Sequence, residues 1–196
     1  MTSARDEILA RVRSALAGVE PAGPLPAAPT TRDRDDLVGL FVARVADYRA
    51  VVARCTRTEL PATVAAIVAG GSVVVPSDLG FEVPGALVDD QLSSAHLDGI
   101  AAVVTAARVG IAETGTIVLD HTPDQGRRAI SLVPDLHVCV VRADQVVADV
   151  PDAIALLDPR RPLTWVSGPS ATSDIELDRV EGVHGPRTLH VVVVDD

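Results

Sequence analysis

Three short segments of the sequence combine polar side chains with glycines in patterns that suit a binding or catalytic site. The first is residues 111–116 (IAETGT), in which a carboxylate lies between apolar runs. A half-buried carboxyl group at a strand end can act as a base, an acid or a nucleophile. We therefore expect a catalytic role for Glu113 and ligand contacts from Thr114, Gly115 and Thr116. The simpler interpretation is a turn that carries a surface glutamate.

The second segment is residues 167–176 (SGPSATSDIE), which follows a predicted strand. Ser173 and Glu176 have the spacing of a capping box, so the segment is expected to lead into a short helix. A small-residue loop between a strand and a helix presents free backbone N–H groups, which suit an anion such as a carboxylate or phosphate. An ordinary capped helix start is the alternative. The candidate ligand-binding residues are Ser167, Gly168, Ser170, Thr172 and Ser173.

The third segment places His184 in a glycine-bounded loop (GVHGP, residues 182–186). Its imidazole could bind a ligand or transfer a proton, although a loop histidine is often only solvated. The other histidines show no metal-binding spacing, so no metal site is predicted. The pair Arg127-Arg128 could meet a phosphate or carboxylate, or could be solvated.

Composition excludes several kinds of chemistry. The chain has 196 residues and a net charge of −10, and all 17 of its basic residues are arginines, so neither a pyridoxal phosphate lysine nor a P-loop lysine is present. An acidic chain without a basic cluster does not favour nucleic acid as a partner. Cys55 and Cys139 lie far apart and cannot by themselves hold an iron–sulfur cluster. No two glycines have the i, i+2 spacing of a Rossmann dinucleotide fingerprint, so the cofactor stays unknown.

The cellular setting follows from the same features. Sparse cysteine use favours the reducing cytoplasm. The longest uncharged stretch, residues 60–77, is interrupted by prolines and glycines, so no membrane span is expected.

The N-terminal segment is predicted to be a helical arm. Ser3 can cap a helix whose apolar stripe includes Ile8, Leu9, Val12 and Leu16. Four prolines then mark a linker over residues 18–30. The predicted domains are therefore residues 1–30, an arm and linker, and residues 31–196, an α/β domain. The arm either docks on a partner or a second copy of the chain, or is a frayed terminus.

The elements that must position the three segments alternate between helix and strand. This alternation predicts an α/β fold with a largely parallel sheet, and we expect the three segments to share one pocket at the carboxyl ends of its strands. Strands between residues 115 and 142 leave no room for helices, so part of the sheet should be antiparallel. Helices are predicted at 33–48, after a Thr58 cap, and from 151; strands are predicted at 50–55, 72–76, 86–88, 101–105, 115–119, 129–133, 136–142, 163–167 and 189–194.

Three blocks of sequence together resemble the LUD-domain family, in its lactate-utilisation protein C group. They are residues 110–119 (GIAETGTIVL), residues 126–147 (GRRAISLVPDLHVCVVRADQVV) and residues 167–186, which hold SGPSATSDIE and GVHGP. The resemblance covers about residues 33–196. It implies a Rossmann-like layered fold similar to the superfamily of ribose-5-phosphate isomerase, glucosamine-phosphate deaminase and CoA-transferases. It also implies a role in oxidising L-lactate to pyruvate beside two partner proteins that carry iron–sulfur centres.

Three functions are compatible with these observations. In the first, the chain is a non-redox subunit of a lactate-oxidising assembly and binds a small anionic ligand or a partner's cofactor. In the second, it is a self-sufficient enzyme that uses Glu113 on an acyl-CoA or a sugar phosphate, as the resemblance to CoA-transferases implies. In the third, it is a regulatory or scaffold module with a vestigial site.

Overall fold

The computed structural model describes residues 3–20, 23, 36–172, 180–182 and 184–195. Contacts between Cα atoms divide the chain into two units, Met1–Thr30 and Thr31–Asp196. The predicted division into an arm and linker, residues 1–30, and an α/β domain, residues 31–196, stays a prediction. Residues 24–35, which include most of the predicted linker, lie outside the described residues.

The first unit contains helix α1 (Ala4–Ala15), and the predicted cap at Ser3 is confirmed. The Asp6 backbone N–H donates to the Ser3 hydroxyl at 3.2 Å, and the Ser3 N–H donates to the Asp6 carboxylate at 3.3 Å. This reciprocal arrangement satisfies donors that the first turn of a helix leaves unpaired. The apolar stripe of α1 is largely exposed, so its docking on another protein stays a prediction.

The second unit alternates helices and strands, as the sequence predicts for an α/β fold. In chain order its elements are α2 (Leu37–Asp47), β1 (Val51–Thr56), α3 (Leu60–Ile67), β2 (Val73–Val75), β3 (Leu87–Val88), α4 (Ser94–Asp98), β4 (Ala102–Ala106), β5 (Val109–Ile111), β6 (Thr116–Leu119), β7 (Leu136–Arg142), β8 (Val146–Val147), α5 (Val150–Leu156), β9 (Thr164–Val166), β10 (Ala171–Thr172), β11 (Val180–Glu181) and β12 (Thr188–Asp195).

The central sheet has six strands in the order β1-β12-β7-β4-β2-β3, and every neighbouring pair in it is parallel. Strand β12 shows why such a sheet needs a continuous apolar run. Val191 and Val193 pack in the core beneath α2, whereas Val192 and Val194 pack in the core beneath α3. Because both faces are covered, alternate residues on both sides of the strand must be apolar.

Antiparallel pairing is confirmed, but it occurs in a separate sheet. Strands β8, β5, β6 and β9 form a four-stranded sheet in that order. The β5–β6 and β6–β9 pairs are antiparallel, and the β5–β8 pair is parallel. This smaller sheet carries the 111–116 segment in the turn between β5 and β6, and the 167–170 loop follows β9.

Two local predictions are wrong. Residues 129–133 form turns rather than a strand: the Ile130 N–H donates to the Arg127 carbonyl at 3.1 Å and the Val133 N–H to the Ala129 carbonyl at 3.2 Å. Their apolar side chains cover a face of the central sheet, where Ile130 is fully buried against Val74. The segment is apolar because it is a cover for the sheet and not because it belongs to it.

Thr58 does not cap the third helix. Helix α3 begins at Leu60 after Glu59, and no described side chain accepts a hydrogen bond from its first turn. The Glu59 carboxylate instead accepts hydrogen bonds from the Thr56 N–H and hydroxyl, both at 2.9 Å. The glutamate therefore closes the turn between β1 and α3.

Candidate functional site

Glu113 lies in the turn between β5 and β6, and its side chain is exposed rather than half-buried. Its backbone N–H donates to the Ala148 carbonyl at 3.0 Å, which continues the pairing of β5 with β8. The carboxylate therefore lies closer to solvent than the sequence analysis expects. Burial is not available there to prepare it for proton transfer or nucleophilic attack.

The two threonines beside Glu113 are joined to the second candidate segment. The Thr114 hydroxyl donates to the Thr116 hydroxyl at 2.7 Å, and the Thr116 and Ser167 hydroxyl oxygens lie 2.8 Å apart. The link arises from register, because Ile117 of β6 pairs with Val166 of β9. The structure thus brings together residues that are about fifty positions apart in sequence.

The glycines of these two segments lie against the last turn of α2. A Cβ atom on Gly115 would lie 2.6 Å from the Arg44 carbonyl carbon, and one on Gly168 would lie 2.6 Å from the Tyr48 carbonyl oxygen. Both glycines have positive φ angles, +60° and +83°. Only glycine permits this conformation together with this close backbone approach. The hydrogen-bonded hydroxyls of Thr114, Thr116 and Ser167 form a hydroxyl chain. The two glycines thus set the position of this hydroxyl chain relative to α2.

The second and third segments are also in contact. The Ser170 N–H donates to the Pro186 carbonyl at 2.9 Å, and the His184 N–H donates to the Ser170 hydroxyl at 3.0 Å. The Gly182 N–H donates to the Ser170 carbonyl at 3.0 Å. Ser170 therefore fixes the loop that carries His184, whose side chain is exposed.

The segment after Ser170 begins as a strand. Ala171–Thr172 form β10, which pairs antiparallel with β11 and contains the candidate Thr172. Ser173, its expected capping box and the helix predicted to follow it lie outside the described residues. The helix N-terminus at this loop therefore stays a prediction.

A cavity of about 300 Å³ lies where the second and third segments meet. Its lining includes Ser167, Gly168, Ser170 and His184. Neither Glu113 nor its two neighbouring threonines is among the described residues that line the cavity. Thr116 is, however, hydrogen-bonded to Ser167, which does line it.

The cavity lies at the opposite edge of the central sheet from the one expected. His137 and Leu189, which line it, are the second residues of β7 and β12, so the cavity adjoins the amino ends of these strands. The 167–170 loop does leave the carboxyl end of a strand, but that strand is β9 of the smaller sheet. The predicted location, at the carboxyl ends of the strands of the parallel sheet, is therefore wrong. The sequence of a strand does not determine by itself which sheet the strand joins.

The charge in the cavity comes from Arg128. Its exposed guanidinium has no hydrogen bond or ion pair with any described residue, and none of the described lining residues is acidic. His137 is fully buried, and burial lowers its pKa to about 4, so it is neutral at pH 7. Its Nε2 lies 2.8 Å from the Thr105 hydroxyl. The cavity therefore combines one unpaired cation with hydroxyl groups, which is a combination suited to a carboxylate.

Arg128 lines this cavity, whereas the sequence presents it only as one of a pair that could meet a phosphate or carboxylate or be solvated. Its pairing with Arg127 in the sequence was the available signal, but two adjacent arginines are commonly solvated. Among the described residues, no group of three or more histidine, cysteine, aspartate or glutamate side chains is placed to hold a metal ion. Within the same residues, no helix has the length and apolar character needed to cross a membrane.

The fold and the cavity define a layered α/β protein with a parallel central sheet, a small mixed sheet and an anion-suited cavity between the loop after β9 and the amino ends of β7 and β12. The family model of the LUD domain matches residues 90–194, which include all three candidate segments. The chain belongs to the LUD domain family.

Individual relatives agree with this assignment. The chain is 45% identical to a protein named Lactate utilization protein C from Deinococcus radiodurans, over 97% of this chain and 95% of that protein. It is 30% identical to a protein of the same name from Geobacillus kaustophilus, over 83% of this chain and 80% of that protein. A crystal structure of a DUF162 family protein from Deinococcus radiodurans has 42% identity and a TM-score of 0.68, and the match covers 81% of this chain and 96% of that one.

Proposed function

We propose that this chain is a non-redox subunit of a cytoplasmic L-lactate utilisation assembly and that it binds a small carboxylate in the 300 Å³ cavity. The observation that carries the proposal is its 45% identity, over nearly the whole of both chains, to a protein named for lactate utilisation. Lactate and pyruvate are both small monocarboxylates, and the cavity supplies for such a charge a guanidinium that none of the described residues pairs.

The contacts in the cavity support this ligand class. Arg128 can hold a carboxylate with two parallel N–H donors, and the Ser167 and Ser170 hydroxyls can bind the hydroxyl or carbonyl oxygen beside it. Exposed His184 stays a candidate for moving a proton at that oxygen. The Ser170 N–H donates to the Pro186 carbonyl, and the Thr116 and Ser167 hydroxyls are hydrogen-bonded to each other, so the loop is held before any ligand arrives.

The redox centre of the reaction is proposed to come from partner proteins that carry iron–sulfur clusters. An iron–sulfur cluster is held by about four cysteine thiolates. This chain has two cysteines, Cys55 and Cys139, and both are free and buried. Neither thiol is presented for cluster binding, so electron transfer would have to pass to another chain.

The alternative function, an enzyme that acts on an acyl-CoA or a sugar phosphate through Glu113, has no specific support from the described residues. A covalent glutamyl intermediate requires the carboxylate to face a bound substrate. The Glu113 side chain is exposed and does not line the 300 Å³ cavity. Glu113 therefore enters the proposal only as a candidate to be tested by substitution.

The decisive experiment compares the purified chain with and without its proposed partners. Lactate oxidation is measured with an artificial electron acceptor, and iron is measured in each preparation. We expect the isolated chain to lack iron and activity and the combined proteins to oxidise lactate. Stoichiometric iron in the isolated chain, or full activity of the partners without it, would contradict the proposal.

Substitutions then test the cavity and Glu113 separately. Ser170→Ala removes a hydroxyl from the cavity and should weaken lactate or pyruvate binding several-fold, because one neutral hydrogen bond contributes about 0.5–1.5 kcal/mol. Arg142→Gln, an exposed arginine outside this cavity, is the matched control and should leave binding unchanged. Glu113→Gln should abolish the activity of the combined proteins if Glu113 is catalytic. Full activity of that variant would remove Glu113 from the site.

A further inference from the structure

A second cavity, of about 430 Å³, lies at the carboxyl ends of β2 and β3. Ser77 follows β2 by two residues, and Asp89 directly follows β3. The chain order of the sheet reverses at β2, since β3 lies on one side of it and β4 on the other. Open α/β sheets bind ligands at such a reversal, outside the carboxyl ends of the strands.

The backbone around this cavity is held in unusual conformations. The described residues include three non-glycine residues with positive φ, and two of them, Gln91 (φ 58°) and His121 (φ 56°), line this cavity. Residues in such conformations persist only where the surroundings enforce them, and they concentrate at ligand sites. At His121 the enforcing group is the buried Gln125, whose side-chain oxygen accepts hydrogen bonds from the Asp120 N–H (2.7 Å) and the His121 N–H (3.1 Å).

The same loop carries two arginines, of which one is paired with a carboxylate and the other has no side-chain partner among the described residues. The Arg127 guanidinium donates to the Asp89 carboxylate through Nε (2.6 Å) and Nη2 (2.8 Å), and Nη2 also donates to the Leu92 carbonyl. Asp89 holds it in place, because that side chain is only 6% exposed. The third nitrogen, Nη1, has no partner among the described residues. Arg128, which also lines the first cavity, has no side-chain partner among them at all.

The hydrogen-bonding capacity left in this cavity is largely that of donors. Both Asp89 oxygens already accept, from Arg127 and from the Leu92 N–H. The Thr122 hydroxyl already donates to Asp124 at 2.6 Å. The groups that remain among the described lining side chains are Nη1 of Arg127, the guanidinium of Arg128, the hydroxyl of Ser77 and the side-chain amide of Gln91. Most of their hydrogen-bonding capacity is that of donors and the Asp89 carboxylate is already paired, so the site favours a ligand made of acceptor oxygens.

We propose that this second cavity binds the phosphate group of a small molecule through Arg127, Arg128 and Ser77. Two guanidinium groups and a hydroxyl offer more donors than the two oxygens of a carboxylate can accept, whereas a phosphate has additional acceptor oxygens. The site is distinct from the carboxylate cavity of the proposed function, although the two share Arg128. The chain therefore takes two oxyanion ligands of different chemistry on either side of one arginine.

Calorimetric titration of the full chain with inorganic phosphate tests this site, with acetate titrated under the same conditions. We expect phosphate to bind at least tenfold more tightly than acetate. Arg128→Gln and Arg127→Lys should each weaken phosphate binding at least tenfold, the latter because lysine keeps the charge but loses the planar fork. Ser77→Ala should weaken it several-fold without touching the Asp89 pair, which keeps the test valid if Arg127→Lys fails to fold.

Two control variants locate the phosphate. Ser170→Ala changes the first cavity alone, and Arg142→Gln changes an exposed arginine that lines neither of the two cavities. Both should bind phosphate as the unchanged chain does. The proposal is overturned if phosphate does not bind at millimolar concentration, if acetate binds to the Ser170→Ala variant, whose first cavity is altered, as tightly as phosphate does, or if Ser170→Ala loses phosphate while Ser77→Ala keeps it.

Discussion

Replacement of Gly115 by alanine should destabilise the fold by more than its backbone angle alone explains. The added Cβ would lie 2.6 Å from the Arg44 carbonyl carbon and 2.8 Å from the Val45 nitrogen, both of which are backbone atoms of α2. A left-handed conformation costs an L-residue about 1–2 kcal/mol. Displacement of well-packed structure costs about 1–3 kcal/mol more. We therefore expect Gly115→Ala to lower the free energy of unfolding by about 2–5 kcal/mol.

Gly70→Ala is the matched control for this substitution. Gly70 also has a positive φ, +81°, but a Cβ there would meet no atom within 4 Å. Its replacement should carry the cost of the backbone angle alone, about 1–2 kcal/mol. Both variants reduce the entropy of the unfolded chain equally, so this effect cancels between them. The difference between the two variants isolates the close approach to α2.

Urea unfolding at equilibrium measures both variants, provided that the slope of free energy against urea is unchanged. Thermal unfolding gives a second measure, at roughly 2–4 °C for each kcal/mol in a chain of this size. If Gly115→Ala proves no less stable than Gly70→Ala, then α2 yields without cost, and the glycine is not required for the position of the hydroxyl chain.

Three other predictions concern the rest of the molecule. Burial lowers the pKa of His137 to about 4, so the unfolded chain binds more protons between about pH 4 and 6.5 and stability falls as the pH falls through that window. The loss should reach about 1.4 kcal/mol per pH unit, and His137→Gln should flatten it; an equal pH slope in both proteins would contradict this. Burial also raises the pKa of the Cys139 thiol to about 12, so a thiol reagent at pH 8 should modify Cys139 only after unfolding, and rapid reaction in the native protein would refute that burial. Deletion of residues 1–28 should leave the unfolding transition of the second unit in place but weaken self-association or partner binding, measured by sedimentation; failure of the truncated chain to fold would place the arm within the core.

The sequence predicts the parallel sheet well because the apolar composition of its strands indicates that they are buried on both faces. Residues 138–141 and 191–194 are continuous apolar runs, which a strand covered on both faces needs. Residues 129–133 have the same composition and yet form turns, since a buried cover for the sheet has the same need for apolar side chains. In both cases the composition indicates that the residues are buried, but it does not show whether the backbone forms a strand or turns.

The sequence allowed the candidate segments to be selected, but it did not show where in the fold they meet. The segments around Thr116, Ser167 and His184 could be selected because hydroxyls, glycines and a histidine are unusual within apolar runs. Their contacts depend on the pairing of β6 with β9 and on the contact of Ser170 with Pro186, which join distant parts of the chain. The exposure of Glu113 and the position of the cavity at the amino ends of β7 and β12 follow from these pairings, so no local pattern could have revealed them.

The position of β12 has a consequence for the order in which this chain can fold during synthesis. β12 lies between β1 and β7 and pairs with both, although it is translated after every other strand of the sheet. Until Thr188–Asp195 leaves the ribosome, β1 has no neighbour in the sheet and β7 has one open edge. In the nascent chain, the edges of β1 and β7 that later pair with β12 are therefore unpaired and the apolar core around β12 is incomplete. Such a state is prone to aggregation and is recognised by chaperones. Messages truncated just before Thr188 should yield insoluble product, even though they encode five of the six strands.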